Sequence, residues 1–417
     1  MTEAFDSLET REPDLRETQL MRQLPRQVAQ AKAHAPAFAE ALRDVVPADV
    51  TSRDALARLP VIRKPDLMAR QRASHAQDVF GGFSAIGWGA RRGARRVFSS
   101  PGPIYEPEGE APDYWRMARA IFAAGFRAGE LVHNSFSYHF TPAGSMMETG
   151  AHRVGCAVFA AGVGQTEMQV QAIAELKPAG YIGTPSFLKI ILDKAHELGT
   201  DVSSMRKALV GGEAFPAPLR DWLHERGIEG YQSYATADLG LVAYETAPRQ
   251  GLVLDEGVIV EIVRPGTGVP VGDGEVGEIV VTSLNPDYPL IRFGTGDLSA
   301  ILPGQCPSGR TNRRIRGWLG RADQTAKVRG MFVHPSQVAE VLRRYGGLGR
   351  ARLVIEGEMA NDRMTLQVEA AAPEAGLRER LAETIRDVTK LRGEVVLCAP
   401  GSLPNDGKVI DDQRRLP

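Results

Sequence analysis

Tyr288-Pro289-Leu290-Ile291-Arg292-Phe293-Gly294-Thr295-Gly296-Asp297-Leu298 leads, through Gly320-Arg321-Ala322-Asp323, to Phe332-Val333-His334-Pro335-Ser336-Gln337-Val338. Residues 289–293 predict an apolar strand that breaks at a Gly-Thr-Gly turn and presents one carboxylate, Asp297. Glycines at 294 and 296 permit a sharp turn and the close approach of a ligand. A carboxylate just past a buried strand is well placed to accept hydrogen bonds from a vicinal diol such as ribose. Residues 320–323 read as a polar turn, 325–328 and 331–333 as short strands interrupted at Gly330. Pro335 opens a helix with Val338, Val341 and Leu342 on one face. Taken alone, a strand followed by Gly-x-Gly-Asp is common, and such an aspartate is more often structural than ligand-binding.

The order of these features is more specific than any one of them. The run from 288 to 340 resembles the adenylate-forming superfamily, and within it the phenylacetate–CoA ligase group. The resemblance implies an α/β fold: a large N-terminal domain of layered sheets and helices with a β subdomain, followed by a small mobile α/β lid. It places the domains at 1–322 and 323–417, with the hinge at Asp323. It covers the chain from about Leu15 to Lys408 and is strongest after residue 208.

Composition agrees with a globular, two-domain protein. At 417 residues the chain exceeds one ordinary core. Lys+Arg 50 against Asp+Glu 51 gives a net charge of -1, which removes any general electrostatic case for a nucleic-acid partner. The first residues, M-T-E-A-F-D-S-L-E-T-R-E, are polar and acidic with no apolar run, so a secretory leader is not expected from them. No window holds the roughly 18 apolar residues that span a bilayer. Cys156, Cys306 and Cys398 are widely spread with no C-x-x-C pair, so the reading is a cytoplasmic protein with free thiols.

Residues 15–45 carry apolar side chains at helical spacing, with Pro25 and Pro36 as expected breaks. Residues 59–67, L-P-V-I-R-K-P-D-L, read as a connector without assigned function. Arg91 to Arg96 is a basic run of the kind that usually covers solvated surface. After it, Val97-Phe98-Ser99-Ser100 enters the place where the family has a Ser/Thr/Gly-rich loop around the ATP phosphates. Here the loop continues Pro101-Gly102-Pro103-Ile104-Tyr105-Glu106-Pro107-Glu108-Gly109-Glu110. Ser99 and Ser100 remain as phosphate donors, but prolines remove three amide donors and no lysine follows. Three glutamates would repel a triphosphate unless paired or bridged. Either the arginine run compensates, or Glu106 or Glu108 helps to hold magnesium.

From Glu130 onward, strand-like and helical runs alternate. The segment 131–144 combines aromatic and polar residues. Phe136, Tyr138, His139 and Phe140 are read either as core aromatics or, by resemblance, as the wall of the acid pocket. Gly162-Val163-Gly164 lacks the third glycine of a dinucleotide fingerprint. Residues 177–187 match the family's scaffold, and Gly211-Gly212-Glu213-Ala214 follows a strand where the resemblance puts the adenine loop.

Gly230 to Gly240 carries a second specific match, Tyr231-Gln232-Ser233-Tyr234-Ala235-Thr236-Ala237-Asp238. The resemblance implies that Tyr234 stacks on adenine beside Ala235, that Thr236 stands in for the hydroxyl displaced at Ala237, and that Asp238 ligates Mg2+. Asp238 is one methylene shorter than the family's glutamate. Residues 244–257 contain no Cys or His, so no structural zinc is expected there. Residues 258–263 and 277–282 read as strands of a β subdomain, and Glu278 as structural. Beyond the hinge, strands at 352–355, 363–369 and 394–398 and a helix at 376–391 form the lid. The chain ends through Leu403-Pro404-Asn405-Asp406-Gly407-Lys408, and the resemblance puts Lys408 on the reacting carboxylate.

Together these readings imply an enzyme that uses ATP and Mg2+ to activate a carboxylic acid, aryl or arylacetic among the classes permitted, as an acyl-adenylate. Rotation of the lid would then admit coenzyme A for thioester formation. Asp297 is assigned to ribose, Arg321 to ribose or phosphate, and Gly330 to the thiol channel. Two alternatives stay open: transfer to an amine or carrier-protein thiol, and a non-catalytic binder of acyl-nucleotide or CoA. The family often forms dimers, so a homodimer is compatible with this reading.

Overall fold

The computed structural model describes residues 3–322, 326–328, 331–333, 335–357, 362–371, 373–404, 406 and 408–414. The expected hinge residue Asp323 and the expected channel residue Gly330 lie outside these. The chain divides into two compact units. One comprises Met1–Glu275, Ile279–Thr295 and Ser299–Trp318; the other comprises Val276–Glu278, Gly296–Leu298 and Leu319–Pro417.

The first unit is built on a nine-stranded sheet. Ala157–Ala160, Leu131–Asn134, Gly180–Gly183, Lys207–Val210 and Glu229–Thr236 lie side by side in parallel. Parallel neighbours need crossovers, supplied here by helices Ala143–Val154, Thr166–Leu176, Pro185–Glu197 and Ala217–His224. At Glu229–Thr236 the sheet changes sense, because Gly240–Glu245 returns antiparallel after a tight turn. Leu252–Leu254, Arg314–Ile315 and Ile301–Leu302 complete the antiparallel half. A four-stranded sheet orders Ile62–Arg63, Phe293–Ser299, Gly277–Ser283 and Val258–Val263. The α/β expectation holds.

Three local expectations change. Residues 289–292 are irregular, and the strand is Phe293–Ser299, so the Gly-Thr-Gly run lies inside the strand instead of ending it. Tyr288, Leu290 and Ile291 are buried as core residues without forming a strand; an apolar run signals burial before it signals conformation. Pro25 does not break its helix, which runs Pro13–His34. A mid-helix proline costs about 3 kcal/mol, but Leu20, Leu24, Val28 and Ala31 are all buried around it. At about 1.5–3 kcal/mol for each large side chain, that burial outweighs the break. The expected phosphate loop is a β-hairpin, Arg96–Ser100 against Ile104–Glu108, with the turn at 101–103.

The second unit has its own core. Glu394–Cys398, Arg363–Ala370, Leu348–Glu356 and Ile410–Asp412 form a four-stranded sheet, with Pro335–Arg343 and Leu377–Thr389 as its helices. Val338, Val341, Leu353, Leu366, Leu381 and Ile385 are buried in one cluster. Among the described residues no helix is long and apolar enough to cross a membrane.

Candidate active site

The parallel strands of the first unit end together, and a cavity of about 420 Å³ opens beyond their C-terminal ends. This is the place where open α/β sheets receive ligands. Its walls come from Phe136 after the Leu131–Asn134 strand, Gly211 and Gly212 after Lys207–Val210, and Ser233, Ala235, Thr236 and Ala237 at the point where the sheet changes sense. Helix Ala143–Val154 adds Met146 and Met147. Close packing favours glycine at 211: a Cβ there would stand 2.9 Å from Ser233 Oγ and 3.1 Å from its carbonyl oxygen. Gly212 has φ +80°, a conformation that favours glycine.

Of the four aromatics proposed for the acid wall, Phe136 lines this cavity, whereas Tyr138, His139 and Phe140 are not among its described lining residues. Tyr138 accepts a hydrogen bond from Asn134 Nδ2 at 2.8 Å, His139 is exposed, and the Phe140 side chain is 80% exposed. The Phe140 backbone acts elsewhere, since its carbonyl accepts from the Ser99 N–H at 2.7 Å and ties down the hairpin. Ser233 and Ala235 face the cavity, while Tyr234, between them, packs against the core that contains Leu239 and Tyr288. Glu213 and Ala214 are exposed, and Glu213 Oε1 accepts from the Ser186 N–H at the start of helix Pro185–Glu197.

The hairpin turns its glutamates inward. Glu108 is buried; its Oε1 accepts from Arg96 Nη1 at 2.6 Å, and its Oε2 accepts from Trp115 Nε1 and Ser145 Oγ, each at 2.7 Å. Its acceptor capacity is spent on the protein. Two arginines of the run are engaged too, Arg91 with Asp78 and Arg96 with Glu108. Glu106 is fully buried and accepts from Ser100 twice, from Oγ at 2.5 Å and from the backbone N–H at 3.3 Å.

Beside Glu106 lies Asp238, whose side chain is 1% exposed. Lys64, the first residue of helix Lys64–Ser74, brings its Nζ within 3.1 Å of Asp238 Oδ2. This is an ion contact without the alignment of a hydrogen bond, and neither carboxylate oxygen has a hydrogen-bond partner among the described residues. Burial first, and then the Asp238 charge, push the Glu106 carboxyl up to about 8. Burial, with Asp238 and Glu106 close by, also raises the Tyr288 phenol well above its ordinary value.

Among the described residues no group of three or more His, Cys, Asp and Glu could hold a metal ion. The donors present nonetheless fit Mg2+, which is usually held by one or two carboxylates together with substrate phosphates. The enclosed oxygens of Asp238 are hard donors of that kind.

In the second unit, Asp297 and Arg321 form a pair, Nη1 to Oδ1 at 3.1 Å, with an isolated bridge between their backbones. Gly296 makes room for it, since a Cβ there would meet Arg321 Nη2 at 2.6 Å. Lys408 Nζ lies 3.2 Å from Asp411 Oδ1, and its backbone N–H donates to Asp406. Arg352 holds Asp406, and Glu369 accepts from the Leu403 N–H, so two points before Lys408 are tied to the sheet.

Sequence reading missed two features of the first unit. One is Lys64, which approaches Asp238 from a segment without assigned function. The other is the anchoring of the N-terminus by buried ions. Glu9 accepts from Arg310 Nε and the Tyr244 hydroxyl, each at 2.5 Å, while Arg11 and Arg16 meet at Glu256. These partners are hundreds of residues apart, so no local pattern signals them.

The AMP-binding enzyme family matches residues 116–285, and the AMP-binding enzyme C-terminal domain matches residues 330–414. Over 415 residues the chain is 30% identical to a phenylacetate–coenzyme A ligase of Aromatoleum evansii, covering 93% of this chain and 91% of that protein. It is 31% identical over 320 residues to the phenylacetate–coenzyme A ligase of Thermus thermophilus, 69% of this chain and 71% of that one. A solved 2-hydroxyisobutyryl-CoA ligase in complex with 2-HIB-AMP and CoA has a TM-score of 0.72 at 25% identity, over 98% of this chain and 91% of that chain. With these matches over nearly its whole length, the chain belongs to the adenylate-forming superfamily, in its phenylacetate–CoA ligase-like group of AMP-forming acid–thiol ligases.

Proposed function

We propose that this protein activates a carboxylic acid with ATP and passes the acyl group to coenzyme A. The observation that carries the reading is the cavity at the sheet's change of sense, walled by Phe136, Met146 and Met147 and floored by two glycines. Its apolar walls suit an acid with an apolar body, aryl or arylacetic in the simplest case. Relatives support the same chemistry: two are named as phenylacetate–coenzyme A ligases, and a solved one holds an acyl-adenylate together with CoA.

In the first step a carboxylate oxygen attacks the α-phosphorus of ATP and pyrophosphate leaves. In the second, the CoA sulfur attacks the acyl carbon and AMP leaves. Tyr234 would stack on adenine, Asp297 would accept hydrogen bonds from the ribose hydroxyls, and Arg321 would donate to ribose or phosphate oxygens. Ser99 and Ser100 would donate to phosphate oxygens. Lys408 would place a positive charge where negative charge gathers on the reacting carboxylate and phosphate. Asp238 would hold Mg2+, which when bound supplies charge neutralisation for the phosphates. We place the protein in a reducing, cytoplasmic setting, where its three free cysteines would persist.

ATP–pyrophosphate exchange across aryl, arylacetic and short aliphatic acids tests this reading. Exchange confined to one acid class, followed by thioester on addition of CoA, is expected. The inward-turned hairpin favours one alternative, a binder of acyl-nucleotides without turnover. Nucleotide binding without exchange for any acid would select it.

A further inference from the structure

We propose that Glu106 is a built-in competitor for the nucleotide phosphates: its carboxyl holds the two donors of Ser100 that a phosphate oxygen would otherwise take. The proposal rests on the ligase reading and adds to it a device peculiar to this chain's hairpin.

The geometry carries it. Ser100 offers a hydroxyl and a backbone N–H, the donor types that wrap phosphate oxygens, and both go to one carboxyl six residues along the same hairpin. Register makes this pairing local. Ser100 lies opposite Ile104 and Phe98 opposite Glu106, so the carboxyl reaches diagonally across the ladder. The second anion-binding group behaves in the same way, since Lys64 lies against Asp238. The polar groups that meet in this cluster are turned on one another: Ser100 from one hairpin strand, Glu106 from the other, Lys64 from helix Lys64–Ser74, and Asp238 from the turn after Glu229–Thr236. The buried Tyr288 lies close to Asp238, Glu106 and Tyr114.

The cluster lies directly behind the cavity wall. Pro101 and Ala237, the next neighbours of Ser100 and Asp238 in the chain, both line the cavity. A triphosphate at that wall would meet donors already satisfied by a carboxyl, so binding requires an exchange of partners. This accounts for a loop with glutamates where the family has glycines and a lysine. The glutamate is part of the closed state of the hairpin, and ATP must displace it.

The test is calorimetric titration of the full chain with MgATP and, separately, with AMP, using wild type, Glu106→Gln and Glu106→Asp. The titrations are run at about pH 9, above the value to which burial raises Glu106, where Gln keeps the shape but is a weaker acceptor than the carboxylate and Asp keeps the charge but draws it back from Ser100. MgATP affinity about tenfold higher in Glu106→Gln, and raised in Glu106→Asp, with AMP affinity unchanged, is the expected result. The split between ATP and AMP is what a purely structural glutamate would not produce. MgATP affinity that is unchanged or weaker in both folded variants overturns the proposal and leaves the ligase reading standing. If neither wild type nor variants bind MgATP, both fail together. Thermal melts identify a variant that does not fold, and the other variant then decides.

Discussion

The hairpin and the cavity are neighbours built on opposite principles. In the cavity, small residues and glycines hold space open: Gly211 leaves little room for a Cβ, and Ser233, Ala235, Thr236 and Ala237 present short side chains. In the hairpin, long acidic side chains fold back, and Glu106 and Glu108 are buried and hydrogen-bonded. One region is shaped for a ligand before it arrives. The other satisfies itself, so any ligand must compete with partners already made. Residue types that read as ligand-binding in sequence therefore act differently according to whether the fold gives them an internal partner.

The strongest challenge to this contrast lies in the second unit, where Lys408 also has an internal partner, Asp411. A half-exposed ammonium–carboxylate contact contributes only about 0–1 kcal/mol, so it should yield readily to substrate. Lys408→Ala should therefore lower ATP–pyrophosphate exchange by about 100- to 1,000-fold. Retention of more than a tenth of wild-type exchange would show that the lysine remains committed to Asp411. On the cavity side, Gly211→Val should raise the KM for acid or ATP about 10- to 100-fold, because its wall must shift against Ser233. An unchanged KM would mean that the ligand does not use this wall.

Removing Glu108 probes the hairpin from within. Glu108→Ala leaves Trp115 Nε1 and Ser145 Oγ without their buried acceptor, and should cost about 3 kcal/mol in urea unfolding. A loss below about 0.5 kcal/mol would mean that the hairpin is not held by its own carboxylates. The smallest effect is expected at Asp113, which supports the same region by accepting from the Met117 and Ala118 N–H groups. Burial is the main cause that raises its carboxyl from 3.8 to about 6. The folded state thus binds more protons than the unfolded state between those values, and stability falls as pH rises through that window, then levels off. Asp113→Asn should flatten this part of the pH–stability curve, and an unaltered slope would assign it to other groups.

Much of the architecture was legible because it follows from local rules. The alternation of strand-like and helical runs after Glu130 points to α/β layering, and residues 394–398 form the expected strand. Gly211-Gly212 was read as a place where a ligand approaches backbone, and it lines the cavity. Asp297 and Arg321 were singled out separately and are paired in the structure. Where local pattern failed, burial had overridden it, as with the unbroken helix at Pro25 and the irregular but buried run at 289–292.

The sequence by itself determined the class of protein and the inventory of chemical groups: a serine pair, a carboxylate after a tyrosine strand, a Gly-x-Gly-Asp strand and a terminal lysine. Those assignments depend on residue type and spacing, which the chain carries in order. Only the tertiary structure decided where the charges go. Lys64 meets Asp238 from the far side of the first unit's sequence, Glu9 meets Arg310 across 301 positions, and Glu106 turns inward to Ser100. A buried charge must find a partner wherever the fold brings one within about 3 Å. That partner is set by packing in three dimensions, and spacing along the chain does not encode it.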